Sequence, residues 1–405
     1  MYRITSGLGI VGLTAGTFAS TVITNEYGGV RYGALVTAGW IVFLVAGRLL
    51  VAPYAPLAIR KFGPRRTFLT VKVLSVVLWI LLGILLAMGS VGALSLYATA
   101  PIVGAIAAFA STLTTLYSGA YINGHDMSGA LARMAVVRGG GIAVGAFVAG
   151  VLVLTVGPAW AIMARGALEI PLIIVLLFFR PGEEPASPQA DRQVWRGLRD
   201  DLRSNPGLRL LVILGMGLTI FAMPFSELLV PIITQLRASD AVPGAALMVA
   251  SIALGQSFSI FPVDFLKDRF VTGVSAALMG GVRGLALLAF GLSALVATGG
   301  WELAVWAVIG CAFGAARAAS GALMAGATMA SVIKEDGSRA LVAFTFACTL
   351  TSPIGVLLWG TLIAVVGLEW TLLVGAVGVL SVSWYVLRRA RSTSLGAAAD
   401  LHRTP

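Results

Sequence analysis

Charge is what this sequence has least of. Asp, Glu, Lys and Arg make up 11% of its 405 residues, whereas a soluble domain carries about a quarter. That scarcity excludes an ordinary soluble globular fold. Cysteine is almost absent: Cys311 and Cys348 lie in separate apolar stretches, with no spacing for a disulfide framework or a metal site. They read as small packing residues, and no metal or cofactor is expected. The two histidines, His125 and His402, fall in a loop and in the tail, which excludes a histidine proton relay inside a membrane. No Gly-x-x-x-x-Gly-Lys-Ser/Thr run occurs, so the chain carries no ATP-driven motor of its own. Met1-Tyr-Arg-Ile leads into an apolar run without a small-residue cleavage site, which reads as a first membrane helix and not a removable signal.

What the chain does have is apolar length. Hydrophobic residues make up 58% and mean hydropathy is +0.95. A membrane crossing takes about 20 such residues. Six segments meet that rule in the first half, at 5–24, 33–57, 68–89, 92–118, 137–157 and 160–179. Six more follow at 208–233, 242–262, 271–296, 302–330, 342–366 and 370–388. The fold expected is therefore all-α and polytopic, with twelve transmembrane helices in two pseudo-symmetric six-helix bundles. The domains are an N-terminal bundle over 1–180, a linker over 181–206, a C-terminal bundle over 207–390 and a tail over 391–405.

The basic residues orient that layout. If both termini are cytoplasmic, 22 of the 28 Lys and Arg fall on the inner side, counting Lys72 at the start of the third segment. Only Arg31 and Arg237 fall outside. This is the bias that orients multi-pass proteins in a bacterial plasma membrane. It also accounts for the formal charge of +11 without nucleic acid as a partner. Within the linker, Glu183-Glu-Pro-Ala-Ser-Pro is turn-rich, whereas Trp195, Leu198 and Leu202 recur at helical spacing among Arg192, Arg196, Arg199 and Arg203. That pattern predicts a short amphipathic helix resting on an anionic leaflet; the plainer reading is a basic tether.

Two loops echo each other about 208 positions apart: Pro56-LAIRKFGPR-Arg66 and Asp264-FLKDR-Phe270. In the first, Lys61, Gly63, Arg65 and Arg66 resemble the basic end of the loop signature of the major facilitator superfamily. In the second, Asp268 and Arg269 resemble its Asp-Arg core. The resemblance implies a conformational latch between two halves. Arg60 stands where the signature has Asp, and the alternative is that these side chains anchor to lipid headgroups. In the fifth segment Gly141, Gly145 and Gly150 are similar to the glycine signature of the superfamily's antiporters, although Ala146 replaces its proline. Small residues at that spacing also serve plain helix packing. Ala100 occupies the place of the antiporters' fourth-span Arg. The stretch Phe221-AMPFSELLVPI is similar in texture to the superfamily's bacterial drug and siderophore exporters.

Charges inside the apolar segments are expensive and therefore informative. Arg48, Arg165, Arg283 and Arg317 are candidates to line a substrate cavity, since guanidinium captures carboxylate or phosphate in two-pronged fashion. Glu169, four residues after Arg165, is placed to pair with it on one helix face, structurally or functionally. Glu227 lies between Pro224 and Pro231 with no partner in its own helix, and an isolated carboxylate there is the leading candidate to carry a proton; Glu169 is the second. The function implied is a secondary-active transporter, acting as a monomer on a small organic and possibly anionic compound, with protons and membrane lipids as its other partners. Proton-coupled export leads; a proton-coupled importer of an organic anion is the alternative. A polytopic membrane enzyme is the reading from another class. Its best carboxylate pair, Glu335-Asp336, sits in a turn. A short insertion within 183–189 should leave transport intact, whereas Trp195→Asp should impair it. Equal transport by both variants would reduce the linker to a tether.

Overall fold

The computed structural model describes residues 2–52, 54–90, 92, 94–119, 127–178, 202, 205–267, 269–296, 301–330 and 337–390. Apart from Leu202, the amphipathic linker segment lies outside these residues, as do Asp268, Glu335-Asp336, both histidines and the tail. Every regular element described is helical: α1 Tyr2–Val51, α2 Ala55–Phe62, α3 Pro64–Ala87, α4 Leu94–Gly119, α5 Met127–Thr155, α6 Pro158–Ala167 and α7 Ile170–Phe178. They are followed by α8 Pro206–Phe221, α9 Met223–Glu227, α10 Leu229–Leu236, α11 Ala241–Ser257 and α12 Ile260–Lys267. The last four are α13 Thr272–Val296, α14 Glu302–Ala330, α15 Gly337–Val366 and α16 Leu368–Ala390. In hydrocarbon every backbone polar group must be satisfied within its own segment, and a helix achieves that. Hydroxyls in the spans follow the same rule. Ser20, Thr24 and Thr219 each donate to a carbonyl four residues back, at 2.8, 2.9 and 2.8 Å.

Among the described residues, eleven helical segments are long and apolar enough to cross a membrane, and one of them, Gly7–Val51, runs to 45 residues. It turns back at Gly29, whose φ of 65° and ψ of −173° no helix contains. Beyond the turn Thr24 meets Thr37, hydroxyl to hydroxyl at 3.1 Å. Counting this hairpin as two crossings gives twelve. The break between the first two segments falls at Gly29 as a single-residue turn: the helix continues to it and resumes at once. The connections expected near 56–66 and 264–270 are also largely helical, as α2 and α12. Gly63, with φ of 83°, makes the bend between α2 and α3. The breaks at 157–158 and 205–206 hold, and they have local causes. Gly157, at φ 95°, precedes Pro158 at the first turn of α6. Asn205 caps α8 by accepting from Leu208 N–H at 3.0 Å, with Pro206 next to it.

The helices gather into two compact units. The first comprises residues 1–123, 141–190 and 228–250; the second comprises 124–140, 191–227 and 251–405. In the first unit α1 packs on α4, α6 and α10, and α3 packs on α6. In the second, α13 lies against α14 and α16, and α8 against α15 and α16.

Each unit holds a pair of helices in backbone-to-backbone contact. In the first, the Pro101 carbonyl occupies the space of a Gly47 side chain, and the Leu44 carbonyl that of a Gly104 side chain. In the second, the Cys311 carbonyl stands against Gly255 and the Ile252 carbonyl against Gly314. The reciprocal pattern recurs at a sequence offset of about 208–210, so the loop echo is part of a longer internal repeat. Any Cβ at these four glycines would overlap a main-chain oxygen, which has no room to yield. Gly104→Ala and Gly255→Ala should each destabilise the protein by about 2 kcal/mol or more. Gly140→Ala, with nothing within 4 Å of the new methyl, should not. Thermal unfolding of the detergent-solubilised chain, followed by size-exclusion chromatography, checks this.

Candidate functional site

A buried polar seam runs along the first unit, built on α3. Arg65, Lys72 and Trp79 are spaced by seven and share one face of this helix. At its start, Arg65 donates from Nε and Nη2 to the Leu176 carbonyl at 3.0 and 2.8 Å, and from Nη2 to that of Leu177 at 3.0 Å. These are the unpaired carbonyls at the C-terminus of α7, where the helix dipole also favours a cation. One helical repeat along, Lys72 Nζ lies 3.3 Å from Glu169 Oε1. One repeat further, the Trp79 ring carries the Arg165 guanidinium 3.8 Å above its centre. Arg165 also donates to Thr17 Oγ1 at 3.3 Å. Gly12 and Gly16 on α1 make room for it, since a side chain at either would run into Arg165.

One expectation is corrected by this geometry. Glu169 does not pair with Arg165, because the helix is interrupted between them: α6 ends at Ala167 and α7 starts at Ile170. Pro171 has no N–H to give the Ala167 carbonyl, and the chain turns there. The carboxylate swings instead to Lys72. Lys72, counted among the inner-side cations, lies in the first half of α3 with its side chain 13% exposed. Sequence reasoning missed its pairing with Glu169, although Pro171 two residues after Glu169 marked the break.

The second unit holds its own cluster. Arg283 is buried in α13, with its guanidinium 5.2 Å from the centre of the Phe313 ring. Arg317 on α14 exerts a like charge on it and donates to Ser226 Oγ at 2.7 Å. Phe225 meets Phe290 and Phe313 edge to face, with centroids 5.0 and 5.1 Å apart, and Trp306 adjoins Phe290 at 5.3 Å. Sequence reasoning missed this aromatic surround, whose members lie on three helices. Glu227 follows Ser226 at the end of α9, half-buried, and makes no hydrogen bond or ion pair with the described residues. The span breaks at Ala222 and again at Leu228, two residues before Pro224 and three before Pro231. The cluster thus gathers two cations, a serine and aromatic rings around an interrupted helix. Such an arrangement suits an anionic, partly apolar ligand better than a cation.

The remaining candidates are scattered. Arg48 is half-buried in α1, beside the Gly104 crossing. Lys61 and Arg66 are exposed, Lys61 over the neighbouring Phe62 ring at 5.4 Å. Arg269 is exposed over Phe265 at 4.0 Å. Gly141 and Gly145 adjoin Ile10, Val11 and Thr14 of α1, whereas Gly150 adjoins Ala246 of α11. No trio of His, Cys, Asp or Glu is placed to hold a metal among the described residues. A cavity of about 350 Å³ in the first unit is lined by Ile23, Pro158, Trp160 and other uncharged residues, and meets none of the charged candidates.

Residues 4–331 match the model of the Major Facilitator Superfamily. The chain belongs to this family. Its fold agrees with the crystal structure of a mutant of the nucleoside transporter NupG, at a TM-score of 0.73 and 12% identity. That match covers 96% of this chain and 99% of the other. No curated protein matches the sequence. The chain is accordingly a polytopic membrane transporter of the facilitator fold.

Arg65 bears on stability in a way that separates capping from lipid anchoring. Arg65→Ala should cost about 1–2 kcal/mol and speed amide exchange in the last turn of α7. Hydrogen-exchange mass spectrometry in nanodiscs checks it; unchanged exchange there would return Arg65 to the lipid.

Proposed function

We propose that this transporter is a secondary-active exporter working by alternating access, exchanging protons for a small organic compound that carries an anionic group. It would act as a monomer in a bacterial inner membrane, both termini cytoplasmic, with halves 1–180 and 207–390 joined by the 181–206 linker. Drug and siderophore exporters are the nearest functional kind. The observation that carries this reading is the Arg283–Arg317 cluster. Two guanidiniums held among aromatic rings have no carboxylate in contact among the described residues, and Arg283 Nε is buried without a hydrogen-bond partner. Leaving such a donor unpaired is costly, and a substrate carboxylate or phosphate would satisfy it. Rings at 5 Å from the same centre suit the apolar body of an organic anion. Glu227, on the joint next to Ser226, is placed to exchange a proton as that helix flexes.

Uptake into everted vesicles and proteoliposomes under an imposed pH gradient, with anionic, cationic and neutral organic probes, tests this. A nucleoside serves as one neutral probe. Anionic probes should be preferred, and Arg283→Ala or Arg317→Ala should lower their transport by about tenfold or more. Glu227→Gln should abolish the dependence on the gradient. Preferred transport of cations would sink the anionic reading, and gradient-driven accumulation in the opposite sense would make the protein an importer. Proton movement unchanged in Glu227→Gln would remove Glu227 from the mechanism.

A further inference from the structure

We propose that Glu169 and Lys72 form a proton-binding site in the first unit, with Glu169 Oε2 as the acceptor and Lys72 as the resident counter-cation. The proposal rests on the proton-coupled reading above for its purpose, and adds to Glu227 a second place where the proton is held.

Three observations carry it. The first is the state of the carboxylate. Glu169 is 3% exposed, yet only Oε1 is engaged; Oε2 is buried with no hydrogen-bond partner. An ionised carboxylate has about four lone-pair sites to fill, so a purely structural ion pair in this setting would be expected to fill more of them. Arg65, two helical turns along the same face, shows what a satisfied cation looks like here, with three hydrogen bonds.

The second is the position of Glu169 in the backbone. It sits in the turn between α6 and α7, its N–H bonded to Gly166 only three residues back, at 3.1 Å. Pro171 keeps the regular ladder from re-forming across that turn. The carboxylate is therefore mounted on a joint and not on a rigid helix.

The third is the charge around it. Lys72 faces it from α3, and Arg165 lies one turn back on α6. α1 brings the uncharged Thr17 to Arg165, and α7 carries no ionisable residue. With Glu169 ionised the group has one excess positive charge; with Glu169 protonated it has two. The second state is tolerable only if Lys72 moves away from the carboxyl. Proton uptake at Oε2 thus breaks the Lys72 ion pair and frees the α6–α7 joint from α3, and proton loss re-forms the clasp. No bond other than O–H is made or broken.

The site is tested on the full chain in liposomes by infrared difference spectroscopy during pH steps, with protons as the only ligand. Acidification should produce a protonated-carboxyl component that is lost in Glu169→Gln and kept in Glu227→Gln. Lys72→Gln removes the cation that opposes protonation, so the band should appear about one pH unit or more higher. Lys72→Arg should leave it near its original midpoint. Identical acidification spectra for the natural protein and Glu169→Gln overturn the proposal. If Glu169→Gln does not fold, Lys72→Gln decides alone, and an unmoved midpoint overturns it. Transport that ignores the pH gradient while this band behaves as described would refute proton-coupled transport and leave the site standing.

Discussion

Two helices of this protein can touch main chain to main chain, and most of the architecture depends on that. At Gly47 and Gly104, and again at Gly255 and Gly314, a carbonyl of one helix lies where the partner's side chain would begin. Lipid offers apolar side chains no advantage in leaving it, so association inside a bilayer relies on close packing and on whatever polar contacts the helices share. Reciprocal glycine contacts give the closest packing available. They also set the spacing that lets long side chains elsewhere reach across to neighbouring helices. The repetition of one contact at a nearly constant offset makes each unit a variation on a common plan.

Upon that plan the protein places its few charges at discontinuities. Both glutamates named as proton candidates sit where a proline interrupts a span: Glu169 before Pro171, and Glu227 before Pro231. A buried ion in a regular helix is fixed relative to its neighbours, whereas one at a break gains a degree of freedom when its charge changes. The arginines behave differently. Arg165 and Arg283 rest on aromatic faces within helical segments, where the ring quadrupole replaces part of the lost hydration. The cations are thus held by scaffolding and the acids by joints.

The spans were legible because apolar length is a property of consecutive residues, and so were the breaks at Gly157-Pro158 and Asn205-Pro206. Glu227 with its prolines could also be read, since its isolation is a fact about one helix. Lys72 could not. Counting basic residues by side treats a cation near the end of a span as a loop residue, and nothing local to it points to Glu169 nearly a hundred positions away. The pairing of Glu169 with Arg165 failed because helical spacing was applied across the turn between Ala167 and Ile170. The four crossing glycines are single residues in apolar runs, and only comparison of the two halves at the loop offset would have singled them out.

The turn at Gly29 has a consequence for how the first two crossings behave. A single residue reverses the chain, and Gly28 against Gly33 with Thr24 against Thr37 closes the two arms beneath it. There is no slack in such a hairpin. If the first arm tilts or slides, the second has to follow, because no stretch of extended chain is available to absorb the difference. The two arms therefore act as one lever with a rigid elbow, and that elbow offers neither a protease nor an inserted tag a loop to enter.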